Sequence, residues 1–220
     1  FFDGYKEDSQ TSIEILDAVI KAGTDCFIFC DTNGGTLPDE VHEILSEILN
    51  QYPKVKFGVH FQNDNGCAVA NSMVAVELGV DHVQGTINGY GERTGNADLC
   101  TLIPNLSLKK AYETISESSL SKLTQIANHI AELVNVAIDS RQPYVGSSAF
   151  THKAGLHASG MAKDNILYEH IDSSKVGNFT RTTVSELAGR ASVITKALEF
   201  GIELNNEEAK KLIESVQNLE

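Results

Sequence analysis

The sequence predicts an α/β fold built on a parallel sheet. Two patterns indicate this fold: helical and strand-like segments alternate along the first half of the chain, and each strand-like segment is followed by a polar or glycine-rich loop. Strand–loop–helix units repeated in this way give parallel strands joined by crossover connections. In such sheets functional side chains collect at the carboxyl ends of the strands. Three consecutive loops of this kind favour a barrel-type site over a scattered surface.

The elements follow in order. Apolar residues at helical spacing predict a helix over 13–20, which Thr11 and Glu14 would begin as a capping box. The apolar run 26–30 is typical of a strand buried on both faces, and the polar loop 31–35 follows it. The same pattern then continues with a helix over 36–48, a strand over 55–59, a loop over 60–66, a helix over 68–78, a strand over 80–87 and a glycine-rich loop over 88–96.

From residue 108 the pattern changes. A long apolar stripe predicts a helix over 120–137, and 141–144 reads as a linker because it carries a proline. The remainder, 146–220, is expected to form a smaller helical part, with helices near 183–191 and 205–219.

Composition excludes several classes of protein. The 220 residues carry 17 Lys and Arg against 30 Asp and Glu, a net charge of −13, which argues against a surface that neutralises nucleic-acid phosphates. No apolar run reaches the roughly 18 residues of a membrane helix, and there is no signal peptide, although the chain does not begin with Met. The four cysteines form no C-x-x-C pair, so we expect buried free thiols and a cytoplasmic, reducing location.

One pair of residues has the spacing of metal ligands. His60 and Gln62 lie at i and i+2 at a strand end, so both side chains would point to the same side of the sheet. An amide oxygen is a weaker ligand than imidazole for transition metals, and the alternative is a histidine that is hydrogen-bonded into a loop network. Both interpretations stay open at this point.

Two further groups are less specific. The glycines of 89–95 resemble a phosphate loop, but their spacing is not that of the dinucleotide fingerprint, and a tight turn that presents Asn96 is the favoured interpretation. His152, His157 and Tyr168 are residue types that act in acid–base catalysis, or they have structural roles.

Three motifs together resemble one family. Asp31-Thr-Asn-Gly-Gly35, His60-Phe-Gln-Asn-Asp64 and the long segment Gln84-Gly-Thr-Ile-Asn-Gly-Tyr-Gly-Glu-Arg-Thr-Gly-Asn96 look like those of the citramalate, 2-isopropylmalate and homocitrate synthases. The segments 1–5, 102–106 and 149–153 look closest to the citramalate synthase branch. The resemblance covers nearly the whole chain.

The resemblance implies a fold and a domain organisation. The chain would be the C-terminal half of a (β/α)8 TIM barrel followed by a helical linker subdomain. Its parts would be 1–107, the end of the fifth strand to the eighth helix of the catalytic barrel, then 108–145, a helical connection, and 146–220, a small helical subdomain. Half a barrel leaves strand edges open, so this segment alone is expected to be inactive and to associate with another copy.

The resemblance also implies an activity. The family condenses acetyl-CoA with a 2-oxo acid in a Claisen-type reaction, with a divalent metal (Mg2+, Mn2+ or Zn2+) as cofactor, and the citramalate branch uses pyruvate on the route to branched-chain amino acids such as isoleucine and leucine. We expect a homodimer that binds small molecules and neither nucleic acid nor membrane.

Site residues carry over by position. By resemblance, His60, Gln62 and Asn96 are the expected metal ligands, Thr32 meets the substrate carboxylate, and the catalytic residues expected in the subdomain are listed last: His157 and Tyr168.

Gln62 departs from the family pattern, which has a second histidine there. This difference leaves three hypotheses: an active synthase whose site favours a hard cation such as Mg2+, a degenerate homologue that binds or regulates without turnover, or a related lyase of the same barrel superfamily.

Overall fold

The computed structural model describes residues 1–153, 169–183 and 190–217. The chain divides in space into two units, Phe1–Thr114 and Ile115–Glu220. The three-part division expected from the sequence stays a prediction.

The first unit alternates helices and strands, as expected. Its elements are α1 (Phe2–Glu7), α2 (Ser9–Lys21), β1 (Phe27–Asp31), α3 (Pro38–Gln51), β2 (Phe57–Phe61), α4 (Ala68–Glu77), β3 (His82–Gln84), a 3-10 turn (Ile87–Gly89), α5 (Leu99–Pro104) and a π-helical turn (Asn105–Lys109).

The three strands of this unit form a parallel sheet in the order β1–β2–β3. In the register of the sheet, Cys30 lies beside His60, and His60 lies beside Gln84. Because parallel strands run in the same direction, their carboxyl ends meet at one edge of the sheet. The predicted parallel arrangement is therefore confirmed.

One face of the sheet forms the core of the first unit. Phe29, Phe57 and Val59 are fully buried against α2, α3 and α4. The expectation that β1 is buried on both faces is wrong, because Ile28 and Cys30 on the opposite face are only half-buried. Alternate side chains of a strand point to opposite faces, and the described helices cover only one of them.

Several element boundaries differ from those expected. The strand expected over 55–59 begins at Phe57 and continues to Phe61, and the strand expected over 80–87 is limited to His82–Gln84. The first long helix begins at Ser9, because the carboxylate of Asp8, and not a Thr11–Glu14 capping box, accepts the hydrogen bond of the Thr11 amide at 3.0 Å.

The second unit contains more than helices. Its described elements are α6 (Glu117–Leu120), α7 (Leu123–Val134), β4 (Thr151–Lys153), a 3-10 turn (Ser173–Val176), β5 (Arg181–Thr183) and helices over Arg190–Glu199 and Asn206–Gln217.

The expectations for this unit need three corrections. The helix expected over 120–137 is interrupted after Leu120, resumes at Leu123 and ends at Val134, where Asn135 adopts a left-handed conformation with φ 53°. The expected all-helical subdomain also contains a parallel pair of short strands, β4 and β5. The helix near 183–191 is described only from Arg190, because Thr183 ends β5 and 184–189 lie outside the described residues.

The four cysteines all lie in the described residues and are free thiols. Only Cys100 is buried, so the expectation of four buried thiols is wrong for the other three, which are half-buried. Desolvation of the thiolate, followed by the nearby Asp98 carboxylate, raises the pKa of the Cys100 thiol to about 12. Among the described helices, none has the length and hydrophobicity needed to cross a membrane.

The core of the first unit generates a stability prediction. Phe29 is fully buried and Ile15 is 56% exposed. Phe29→Ala is expected to lower the free energy of unfolding by about 3–5 kcal/mol, because the truncation leaves a cavity among packed helices. Ile15→Ala is the control and is expected to change it by less than about 0.5 kcal/mol. Chemical denaturation of the purified protein measures both, and equal effects would contradict the assigned core.

Candidate active site at the strand ends

The loops that follow the three strands are joined by backbone hydrogen bonds. The Asn65 amide of the loop after β2 donates to the Gly34 carbonyl of the loop after β1 at 3.1 Å. The Asn63 amide donates to the Gly95 carbonyl of the loop after β3 at 2.8 Å. The three polar loops therefore form one continuous structure, as a site at strand ends requires.

Gln62 and Asn96 lie next to each other in this structure. They form an isolated antiparallel bridge between the loops after β2 and β3. Their side-chain amide oxygens, Oε1 of Gln62 and Oδ1 of Asn96, are both buried and have no hydrogen-bond partner among the described residues. An unpaired buried acceptor costs free energy, so these oxygens are suited to a donor or a cation.

His60 lies at the end of β2 and is half-buried. Its Nδ1 atom lies 3.2 Å from Oε1 of Gln84, its neighbour on β3. An amide oxygen can only accept, so Nδ1 carries the proton in the neutral imidazole and Nε2 has the lone pair. This is the arrangement in which a histidine can bind a metal through Nε2, and it also contains the side-chain hydrogen bond of the alternative interpretation.

Thr32 follows β1 directly and is exposed. The neighbouring carboxylate of Asp31 is fully buried and accepts hydrogen bonds from the Thr36 hydroxyl at 2.9 Å and the Thr36 amide at 3.2 Å. These two bonds close the loop on itself and fix the backbone on which Thr32 stands. The position agrees with the expected contact to a substrate carboxylate, which stays a prediction.

The glycine-rich loop is a tight turn. Gly95 has φ +88°, and a Cβ atom at this position would collide with the carbonyl oxygen of Gly89. The same carbonyl accepts the amide hydrogen bond of Asn96 at 3.0 Å. The absence of a side chain at Gly95 therefore permits the backbone approach that holds Asn96, as the sequence indicated.

An ion pair that the sequence analysis did not identify joins the loops after β2 and β3. The guanidinium of Arg93 donates from Nε to Oδ1 of Asp64 at 2.7 Å and from Nη2 to Oδ2 at 2.9 Å. Hydrogen bonding to Arg93 lowers the pKa of the Asp64 carboxyl, and the same bond raises the pKa of Arg93. The ion pair therefore stabilises the fold above the usual pKa of Asp64, near 3.8, and this contribution is lost as the pH falls through the lowered value. Both residues belong to the quoted motifs, but their separation in sequence gave no signal of pairing.

The donor set fits a hard cation better than zinc. Among the described residues no group of three His, Cys, Asp or Glu side chains could hold a metal ion. The residues present are instead one imidazole, His60, and two buried amide oxygens, from Gln62 and Asn96. Amide oxygens are typical ligands of hard cations and poor ligands of Zn2+. The nearby Asp64 carboxylate is occupied by Arg93.

The expected catalytic residues of the subdomain, His157 and Tyr168, lie outside the described residues. His152 is described: its Nε2 lies 3.4 Å from Oε1 of Glu169, and the same carboxylate oxygen accepts from the Thr180 hydroxyl at 2.5 Å. Glu169 is buried, so its two partners satisfy a carboxylate that would otherwise be costly to bury.

Comparison with protein families agrees with this geometry. Residues 3–130 match the model of the HMGL-like family. The chain belongs to the HMGL-like family. Residues 144–220 match a second model, described as the homocitrate synthase post-HMGL domain-like family. The two matches follow each other along the chain in the order that the resemblance implied.

Curated relatives narrow the similarity. The chain is 48% identical to the (R)-citramalate synthase of Aquifex aeolicus and 44% identical to that of Geobacter sulfurreducens, in both cases over 100% of this chain and 42% of the relative. A probable 2-isopropylmalate synthase of Methanopyrus kandleri is 33% identical over 99% of this chain and 43% of its own. The chain thus spans less than half the length of the curated relatives it matches.

Solved structures support the fold. The HMG-CoA lyase of Bacillus subtilis superposes with a TM-score of 0.53 at 25% identity, over 59% of this chain and 45% of that one. This similarity and the family match confirm the predicted assignment to the second part of a TIM barrel.

The glycine-rich loop generates a second prediction. Gly95 and Gly23 have nearly equal φ values, +88° and +90°, but a Cβ atom at Gly23 would meet nothing within 4 Å. Gly23→Ala is therefore expected to cost only backbone strain, about 1–2 kcal/mol, whereas Gly95→Ala adds a collision and is expected to cost clearly more. Thermal and chemical denaturation compare the two variants. Equal destabilisation would contradict the assigned backbone approach of Gly89 to Gly95.

Proposed function

We propose that the whole protein is a citramalate synthase. It condenses acetyl-CoA with pyruvate and water to give citramalate and free CoA. The observation that carries this proposal is the 48% identity to (R)-citramalate synthase over the full length of this chain, against 33% for a 2-isopropylmalate synthase. Formation of branched-chain amino acid precursors, a cytoplasmic location and a homodimer are part of the proposal.

The strand-end loops would bind the 2-oxo acid. We assign the substrate carboxylate to Thr32, and a divalent cation to His60, Gln62 and Asn96. The unpaired buried oxygens of Gln62 and Asn96 support this assignment, since a cation would satisfy both. When bound, the cation would polarise the keto group and stabilise the alkoxide that forms there.

The chain's own residues would orient the reactants. The Gln84 amide oxygen holds the proton of His60 on Nδ1, which keeps Nε2 directed to the ligand. The tight turn at Gly95 keeps Asn96 beside Gln62. A base removes a proton from the acetyl methyl group, the carbanion attacks the keto carbon, and water then cleaves the thioester and releases the CoA thiol. We assign acid–base steps of this sequence to His157 and Tyr168.

A second candidate function rests on Gln62. An amide in place of a histidine weakens binding of transition metals, so a homologue that binds ligand without turnover is the alternative. The lyase hypothesis has less support, because residues 144–220 match a post-barrel domain named for homocitrate synthases.

The activity is tested with the full-length protein. Free CoA is measured with acetyl-CoA and each of pyruvate, 2-oxoisovalerate and 2-oxoglutarate, in the presence of Mg2+ or Mn2+. We expect CoA release with pyruvate, and the highest kcat/KM for it. Cleavage of citramalate to acetyl products in the same mixtures would favour a lyase. Release of CoA with none of the three acids would refute the enzymatic proposal.

Replacement of Gln62 separates the active synthase from the degenerate homologue. Gln62→His adds an imidazole to the donor set, so affinity for Zn2+ measured by calorimetry is expected to rise by about ten- to a hundredfold, while the unchanged protein is already active with Mg2+. Gln51→His, at the exposed end of α3, is the control and is expected to leave Zn2+ affinity unchanged. Activity that appears only in Gln62→His would establish the non-catalytic alternative.

A further inference from the structure

The side chain of Arg93 contacts the loops after all three strands. Arg93 itself belongs to the loop after β3. Its guanidinium pairs with Asp64 of the loop after β2, and its Nη2 also donates to the Thr32 carbonyl of the loop after β1 at 2.8 Å. These contacts join positions that are 29 and 61 residues apart in the sequence.

The geometry of these contacts requires arginine. The guanidinium makes two nearly parallel bonds to the carboxylate, 2.7 and 2.9 Å, and a third to a carbonyl on another loop. A planar fork with donors fixed in direction can make the three bonds together, whereas the compact ammonium of lysine cannot.

Stability alone does not account for this arrangement. The side chains of Arg93 and Asp64 are 44% and 25% exposed, and ion pairs that face solvent contribute little to folding. The backbone of Arg93 has φ +53°, a conformation that side chains other than glycine adopt at a cost. The loop therefore maintains a strained residue for an interaction whose main effect is geometric.

The contacts of Arg93 lie beside the residues assigned to the site. Thr32 provides the bonded carbonyl itself, Gln62 lies two residues before Asp64, and Asn96 lies three residues after Arg93. Asp64 is also the nearest carboxylate in sequence to His60 and Gln62, and its pairing with Arg93 withholds it from a cation.

We propose that Arg93 is a positioning residue that holds the three strand-end loops in the arrangement in which Thr32 receives the 2-oxo acid. This inference rests on the proposed function for its substrate, but the contact it describes is independent of turnover. Loss of the guanidinium releases the Thr32 backbone and separates the loop that carries Asn96 from the loop that carries Gln62.

The kinetic test uses Arg93→Met and Arg93→Lys in the full-length protein. Arg93→Met is expected to raise KM for pyruvate and lower kcat/KM by about ten- to a hundredfold, because small displacements of binding groups are costly. KM for acetyl-CoA is expected to stay within about twofold. Arg93→Lys restores the charge but not the fork, and is expected to recover less than half of this loss on a logarithmic scale.

The matched control is Lys110→Met. Lys110 forms an ion pair with Glu77 at 2.6 Å whose side chains are 45% and 47% exposed, comparable to Arg93, and it lies outside the strand-end loops. Its loss is expected to leave both KM values unchanged. Asp64→Asn is expected to reproduce the effect of Arg93→Met, and the double variant to be no worse than either single variant.

Amide hydrogen exchange tests the contact without any activity. The amides of Asn63 and Asn65 bond to carbonyls of the two neighbouring loops. Arg93→Met is expected to speed their exchange by about tenfold or more, whereas Lys110→Met is not.

The two readouts distinguish the possible failures. Faster exchange in a protein with no synthase activity would support the positioning contact and remove the proposed function. Unchanged exchange, or an equal rise of KM for both substrates, would overturn the role of Arg93.

Discussion

The parallel register of β1, β2 and β3 is the constraint on which the rest of the first unit depends. It places Cys30, His60 and Gln84 side by side, so that the three loops leave the sheet at one edge. A slip of one residue in β2 would turn His60 toward the helices and Phe61 toward the opposite face. The buried Phe57, Val59 and Phe61 oppose such a slip, since their burial against the helices is a large part of the core. Packing of the helix-facing side chains thus fixes the position of the polar ones.

The loops combine satisfied and unsatisfied polar groups. The Asp31 carboxylate is buried and fully engaged with Thr36, and the Thr36 carbonyl in turn accepts from the Asn71 amide at 2.7 Å. In contrast, the buried amide oxygens of Gln62 and Asn96 have no partner among the described residues. A buried acceptor without a partner costs about 1–3 kcal/mol, so the frame around Thr36 stabilises a loop structure in which two such groups are held ready for a ligand.

The sequence predicted this arrangement unevenly. The alternation of helices and strands, the parallel sheet and the three polar loops followed from local patterns, because apolar periodicity and glycine positions are properties of short segments. The extent of β3 and the start of α2 did not follow. The chain after His82–Gln84 approaches the Ala97 carbonyl at Gly85, and the carboxylate of Asp8 takes the capping position ahead of Thr11. Both depend on contacts that compete with local propensity.

The sequence by itself determined which residues stand at the ends of the strands and, through the motifs around His60 and Asn96, the family to which the chain belongs. Only the tertiary structure decided which of these polar groups are already paired. Gln84 binds His60, Arg93 binds Asp64 and Thr32, while Gln62 and Asn96 keep free oxygens. The reason is physical: each pairing joins residues on different strands or loops, and such pairs form only when the register of the sheet brings distant segments within hydrogen-bond distance.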